Sequence, residues 1–267
     1  MDIVREMIKI NIKSIIQYRR SFVLTLIMQS ASLLIYILLF KSIYEYSNVD
    51  QINGYGLKQM VWYFASANFV TACVLNFADY RISGKVISGN LAVDLLRPIS
   101  LFKIELSNAI ALRLIGVIFE FLLGFVLYSL FYFPDFLTAS SSAKFLLLIP
   151  GSFAINFALN YLIGLLAFYI KNSNSLSQLK LFLIQFMGGA FIPLEFFPAI
   201  ANRVFDFLPF KYVYYWPIQF FINADIAQGW AIFGVILSVQ LVWCIALYFA
   251  SKVLWKTVVR KFCGAGG

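Results

Sequence analysis

The chain has 267 residues, 62% of them hydrophobic and 12% charged, with a formal net charge of +9; mean hydropathy is +0.85. Soluble domains carry about 25% charged and 45–50% apolar residues, so a water-soluble fold is excluded. There is no histidine, which removes imidazole chemistry and the commonest metal ligand, and Cys73, Cys244 and Cys263 are too scattered for a metal motif or a disulfide framework.

Residues 1–20 have helical periodicity. Ile3, Val4, Met7, Ile8, Ile12, Ile15 and Ile16 share one side, and Arg5, Glu6, Lys9, Lys13 and Gln17 the other. This predicts an amphipathic helix in the interface, with its bases toward anionic headgroups. Two compatible readings stand: a simple anchor for the first span, or an elbow that also touches a cytoplasmic partner.

A bilayer core of roughly 30 Å needs about 20 predominantly apolar residues. Six stretches qualify within a transmembrane domain over 21–254: roughly 21–44, 57–78, 106–133, 145–170, 176–194 and 230–254. The predicted fold is an all-α integral membrane protein of six transmembrane helices. The first apolar run starts too late and runs too long for a cleavable signal peptide.

Lys and Arg are unevenly shared between the connections. Fifteen lie in the N-terminal segment, the second and fourth connections and the tail; five (Lys41, Lys58, Lys144, Arg203, Lys211) lie in the alternate set, and Arg113 is inside a span. The positive-inside rule then places both termini in the cytoplasm, with 255–267 as a basic cytoplasmic tail. Because the bases sit between apolar runs rather than on one soluble face, they point to anionic lipid and topology and not to nucleic acid.

The second connection, 82–100, reads ISGKVISGNLAVDLLRPIS. Gly84 and Gly89 permit a tight entry or a break, and Val86, Ile87, Leu91, Val93, Leu95 and Leu96 are spaced to dock in a groove, a standard mode of helix recognition. In the third span Arg113 and Glu120 are seven apart and project on nearly one face. Charges at that depth face protein or water, so they form a structural ion pair or line a pathway. Asn68, Thr71, Asn76, Asn156, Asn160 and Gln185 are read first as interhelical packing, and Gly188 and Gly189 as a point of close backbone approach. Between the last two spans, Pro193, Pro198, Pro209 and Pro217 divide an apolar segment into short pieces. Freed carbonyls in lipid need cover, which predicts a re-entrant external hairpin over 193–217, either an interfacial lid or an outer gate.

The residues GNLAVDLLRPIS resemble the Gly…Leu-Leu-Arg-Pro signature of type-2 ATP-binding cassette (ABC) transporter permeases, and more narrowly the bacterial antibiotic or uncharacterised transport permease group. The likeness continues in YRRSF at 18–22, at 167–169, through GGAFIPLEFFPAIANRVFDFLPFKYVYYWPIQFF at 188–221, and in the tail with Trp255, a basic run and a closing Gly-Gly. The resemblance implies a multi-pass subunit of the bacterial cytoplasmic membrane, paired with a second permease as homodimer or heterodimer. It also implies docking to cytoplasmic ABC ATPase subunits through Ser83, Gly84, Lys85, Val86, Ile87, Gly89, Leu91, Leu95 and Arg97, with Lys171 and Lys180 as a second contact. Asn76, Arg113, Glu120, Gln185, Gly188 and Gly189 become candidates for the pathway or subunit interface. Pro193, Phe196, Phe197, Pro198, Phe210 and Tyr212 become candidates for the external gate. The chain has no G-x-x-x-x-G-K-[ST] loop, so it is expected to bind no cofactor or metal itself, to be non-catalytic, and to leave ATP and Mg to the partner. Export of a hydrophobic or amphipathic substrate is the favoured expectation. Import of a hydrophobic nutrient or cofactor, or ATP-independent secondary transport, are the alternatives.

Overall fold

The computed structural model describes residues 2–16, 20–170 and 173–261, with the side chains of 2–4, 15–16, 20–23, 25–26, 29 and 261 not described. Lys171, Tyr18 and Arg19 of the YRRSF motif, and the closing glycines lie outside the described residues.

The chain is helical almost throughout. Helix α1 (Asp2–Ile16) packs along α6 (Leu101–Gly116), with Asn11 Nδ2 donating to Asn108 Oδ1 at 2.6 Å. Next comes α2 (Arg20–Ser47), then the one departure from an all-α chain among the described residues. Strands β1 (Gln51–Ile52) and β2 (Tyr55–Gly56) pair antiparallel across Asn53 and Gly54, both at positive φ. Asn-Gly is the pair that such a two-residue hairpin turn favours.

Helix α3 (Leu57–Val74) and α4 (Ala78–Ile87) are separated by a break and bent by 43°. A short α5 (Leu91–Leu95) leads into α6, which continues through a π-helical turn at Val117–Leu122 into α7 (Leu123–Phe131). Helix α8 (Ala139–Ile170) is the central staff, packed against α3, α4, α6, α9 (Asn174–Met187), α11 (Tyr215–Phe221) and α12 (Trp230–Val258). Between α9 and α11 lie 3-10 turns and α10 (Ala199–Asp206), so the prolines do cut this segment into pieces.

Among the described residues, three runs are long and apolar enough to cross a membrane by themselves: Leu101–Phe131, Ala139–Ile170 and Trp230–Val258; the bent pair α3–α4 makes a fourth if counted as one span. The outer faces are what lipid requires. On α12, Leu241, Val242, Ile245, Phe249 and Val253 are exposed, and on α2 so are Leu34, Ile35 and Leu38. Apolar exposure on this scale marks contact with membrane or partner protein. The chain is an all-α integral membrane protein.

Sequence and structure part at several borders. The run 57–78 is not one helix, because α3 stops at Val74. At the fifth run, drawn over 176–194, the helix is Asn174–Met187 and has only 14 residues before Gly188, about 21 Å of helix. Gly84 makes no break and sits inside α4 facing open space, whereas Gly89, at φ +73°, carries the turn.

Candidate functional site

The α3–α4 break leaves helix-end carbonyls of α3 without partners in their own helix, and buried carbonyls need them. Neighbouring helices supply the donors. Arg113 Nη1 of α6 donates to Ala72 O at 2.9 Å and lies 3.4 Å from Thr71 O, which already accepts the Leu75 N–H at 2.9 Å. From α8, Asn156 Nδ2 donates to Val74 O at 2.8 Å, and Asn160 Nδ2 donates to Asn76 O at 2.9 Å and Asn76 Oδ1 at 2.8 Å. A cation at a helix C-terminus also complements the helix dipole. Gly116 lets α6 come close enough, since a Cβ there would sit 3.0 Å from Ala72 O. Glu120 in the π-turn is 3.7 Å from Arg113, so the two predicted charges meet, and the arginine's shortest bond goes to the broken helix.

Below the break, α4 carries a ladder of charges. Lys180 of α9 pairs with Asp79 at 2.6 Å and also reaches Asn160. Arg81 Nε bonds one oxygen of Glu105 at 2.6 Å, and Lys85 Nζ bonds the other at 2.7 Å. Lys85 also pairs with Asp94 at 2.7 Å, and Asp94 with Arg97 at 3.3 Å. Glu105 and Asp79 are fully buried. Burial opposes the charge on Lys85, but Glu105 and Asp94 together outweigh it and hold its pKa above the ordinary value. Asp79, Asp94 and Glu105 had no place in the sequence reading; three acids inside a basic segment were the signal.

This ladder sorts the residues expected to dock. Ser83 is buried and accepts the Ser173 N–H at 3.3 Å, which joins the two segments expected to meet a partner. Leu91 is buried, and Val86 and Leu95 are half-buried in the cluster with Ile82, Leu101 and Leu165. Exposed at the tip are Ile87, Val93, Arg97 and Leu96, the last with 87% of its surface free. The α4–α5 unit thus has one face bolted to the bundle and an apolar face free.

The opposite end is held mostly by neutral groups gathered around one carboxylate, Glu195. Tyr44 Oη donates to Tyr55 O at 2.5 Å, and Tyr63 Oη donates to Gly189 O at 2.7 Å. Gln219 Nε2 bonds Tyr55 Oη at 2.6 Å and Glu195 Oε1 at 3.0 Å, and Tyr215 Oη donates to Glu195 at 2.6 Å. Burial, aided by the Glu195 carboxylate, pushes the Tyr55 phenol up. Gly189 has φ +80°, and a Cβ on Gly188 would meet Phe210 O at 2.9 Å, so the expected close approach is there. Gln185 contributes its carbonyl to the same turn, accepting the Ala190 N–H at 2.8 Å.

The six residues predicted for a gate have three local settings. Pro193 and Phe196 line an apolar cavity of about 370 Å³ with Tyr36, Phe64 and Phe191. Phe197 packs on Phe186 and Phe205, and Pro198 precedes α10. Phe210 and Tyr212 face α9 and α12, where the Tyr212 carbonyl accepts from Gln240 Nε2 at 3.0 Å.

No cluster of three or more potential metal ligands occurs among the described residues. The architecture is a helical membrane bundle with a broken helix, a charge ladder and a free apolar tip. The family model for ABC-2 family transporter proteins matches residues 26–266, and the chain belongs to that family: it is an ABC-2 type permease subunit of an ABC transporter. Membership implies association with ABC ATPase subunits. No curated protein matches the chain closely enough to count as a relative.

Proposed function

We propose that this chain is the non-catalytic, membrane-spanning half of an ATP-driven transporter for a hydrophobic or amphipathic substrate, working as an exporter beside a second permease subunit. Six crossings would be α2, α3, α6–α7, α8, α9 with the residues after it, and α12. The uneven Lys and Arg distribution supports placing the α4–α5 end and both termini in the cytoplasm.

The observation that carries the docking assignment is the two-faced α4–α5 unit. Ile87, Val93 and Leu96 offer an apolar surface to a groove, and the Lys85–Glu105–Arg81 bridge ties that surface to α6. Movement of the tip would reach α6 and, through Arg113 and Asn160, the break between α3 and α4. Coupling needs such contiguous contacts with more than one arrangement, and the break supplies the place to bend.

The test is copurification with the cognate ABC ATPase. Leu96→Asp should lower recovered ATPase severalfold at unchanged permease yield, and Arg203→Asp at the other end should not. Equal recovery with both variants would remove the tip from the docking surface. Orientation is tested separately: a cysteine at Phe207 should react with an impermeant maleimide in intact cells, and one at Leu96 only after permeabilisation.

A further inference from the structure

The basic side chains at the α4–α5 end fall into two groups. Arg81, Lys85, Arg97 and Lys180 each have a carboxylate partner. Lys103 and Lys252 are exposed, have no carboxylate partner among the described residues, and line the same cavity of about 420 Å³ between the start of α6 and the end of α12. Its walls are apolar, built from Phe102, Leu106, Tyr248 and Trp255. Phe102 lies edge-on to Tyr248 at 5.7 Å, and Lys252 sits over the Tyr248 ring at 4.6 Å.

Both helices belong to membrane-crossing runs, Leu101–Phe131 and Trp230–Val258, so the cavity lies where spans leave the hydrocarbon. Basic pockets between spans at that level suit anionic headgroups, and long basic side chains reach from apolar surface toward them. We propose that this cavity binds an anionic phospholipid of the adjoining leaflet, with an acyl chain along Phe102, Leu106 and Trp255 and the phosphate held by Lys103 and Lys252. Two cations without acids beside an apolar wall match a molecule that is itself half anion and half hydrocarbon. Such a lipid would brace α6 against α12, one helix beyond the Glu105 ladder.

Native mass spectrometry of the full chain in detergent, titrated with phosphatidylglycerol, phosphatidylcholine of the same acyl chains, and glycerol 3-phosphate, tests this. Phosphatidylglycerol should bind at least severalfold more tightly than phosphatidylcholine, and glycerol 3-phosphate should not be retained. Lys103→Ala and Lys252→Ala should each weaken phosphatidylglycerol about fivefold, the scale of one basic side chain near an anionic surface, and narrow the preference over phosphatidylcholine. Leu106→Trp, which fills the groove, should weaken it with both lysines intact; if that variant misfolds, the two exposed lysines still decide. Equal binding of the two lipids, no response to either lysine, retention of glycerol 3-phosphate as well as the lipid, or displacement of the lipid by the bound ATPase would overturn the proposal.

Discussion

The two ends of the bundle are built from different chemistry. Around α4, formal charges cross from helix to helix, two of the carboxylates are fully buried, and the bridges of Glu105 and Asp79 join separate helices. Around α11, tyrosines, glutamine and backbone carbonyls make most of the links, with Glu195 as an acceptor for Tyr215 and Gln219, and rings pack in numbers: Phe145 on Phe221 at 5.0 Å, Trp62 on Phe125 at 5.7 Å. Buried ion pairs fix geometry at a desolvation cost and fail sharply when one partner is lost. Aromatic packing and neutral hydrogen bonds degrade in small steps. One end is suited to transmit a push without deforming, and the other to repack.

Breaking the charged end should therefore give the largest effect. Glu105→Ala leaves Arg81 and Lys85 without their shared anion, and we expect a loss of about 3 kcal/mol, seen as the largest drop in apparent Tm in detergent. Arg113→Leu should follow, at about 2 kcal/mol, since it strips the donor from the Ala72 carbonyl. At the other end Tyr63→Phe, which loses only the bond to Gly189 O, should cost about 1 kcal/mol. A Glu105→Ala effect no larger than that of Tyr63→Phe would erase the contrast. The pH response sharpens it further. Folding raises the Lys85 pKa above its ordinary 10.5, so the stabilisation from its charge is complete below that value and lost as pH rises through the folded one. The Tm gap between wild type and Lys85→Met should hold from pH 7 to 10 and narrow only above 10.5. The smallest stability change belongs to Leu96→Asp, under about 0.5 kcal/mol, because nothing packs on that side chain.

Much of this was legible in the sequence. Leu101–Phe131, Ala139–Ile170 and Trp230–Val258 are apolar runs of the right length, the prolines between 193 and 217 announced short helices, and the 82–100 motif marked an exposed segment. The α3–α4 break was not, because Leu75, Asn76 and Phe77 contain neither Gly nor Pro and continue an apolar run. It exists because Arg113, Asn156 and Asn160, distant in sequence, bond the carbonyls that the break exposes. The charge ladder was hidden for the same reason: Glu105 is twenty or more residues from both of its partners, and pairing at that distance is set by packing rather than by helical spacing. Asn53-Gly54 carries a hairpin signal in the sequence, weaker than the helical ones around it.

The central claim is that the charged end, and not the aromatic one, meets the ATPase. Leu96 and Phe207 are matched probes, 87% and 81% exposed at opposite ends. With Cys73, Cys244 and Cys263 replaced by serine, a cysteine should be placed at each site in turn and treated with a short bifunctional crosslinker in membranes that hold the cognate ATPase. The account predicts a permease–ATPase adduct from position 96 and none from 207. An adduct from 207, or from neither site while the two proteins still copurify, would contradict it.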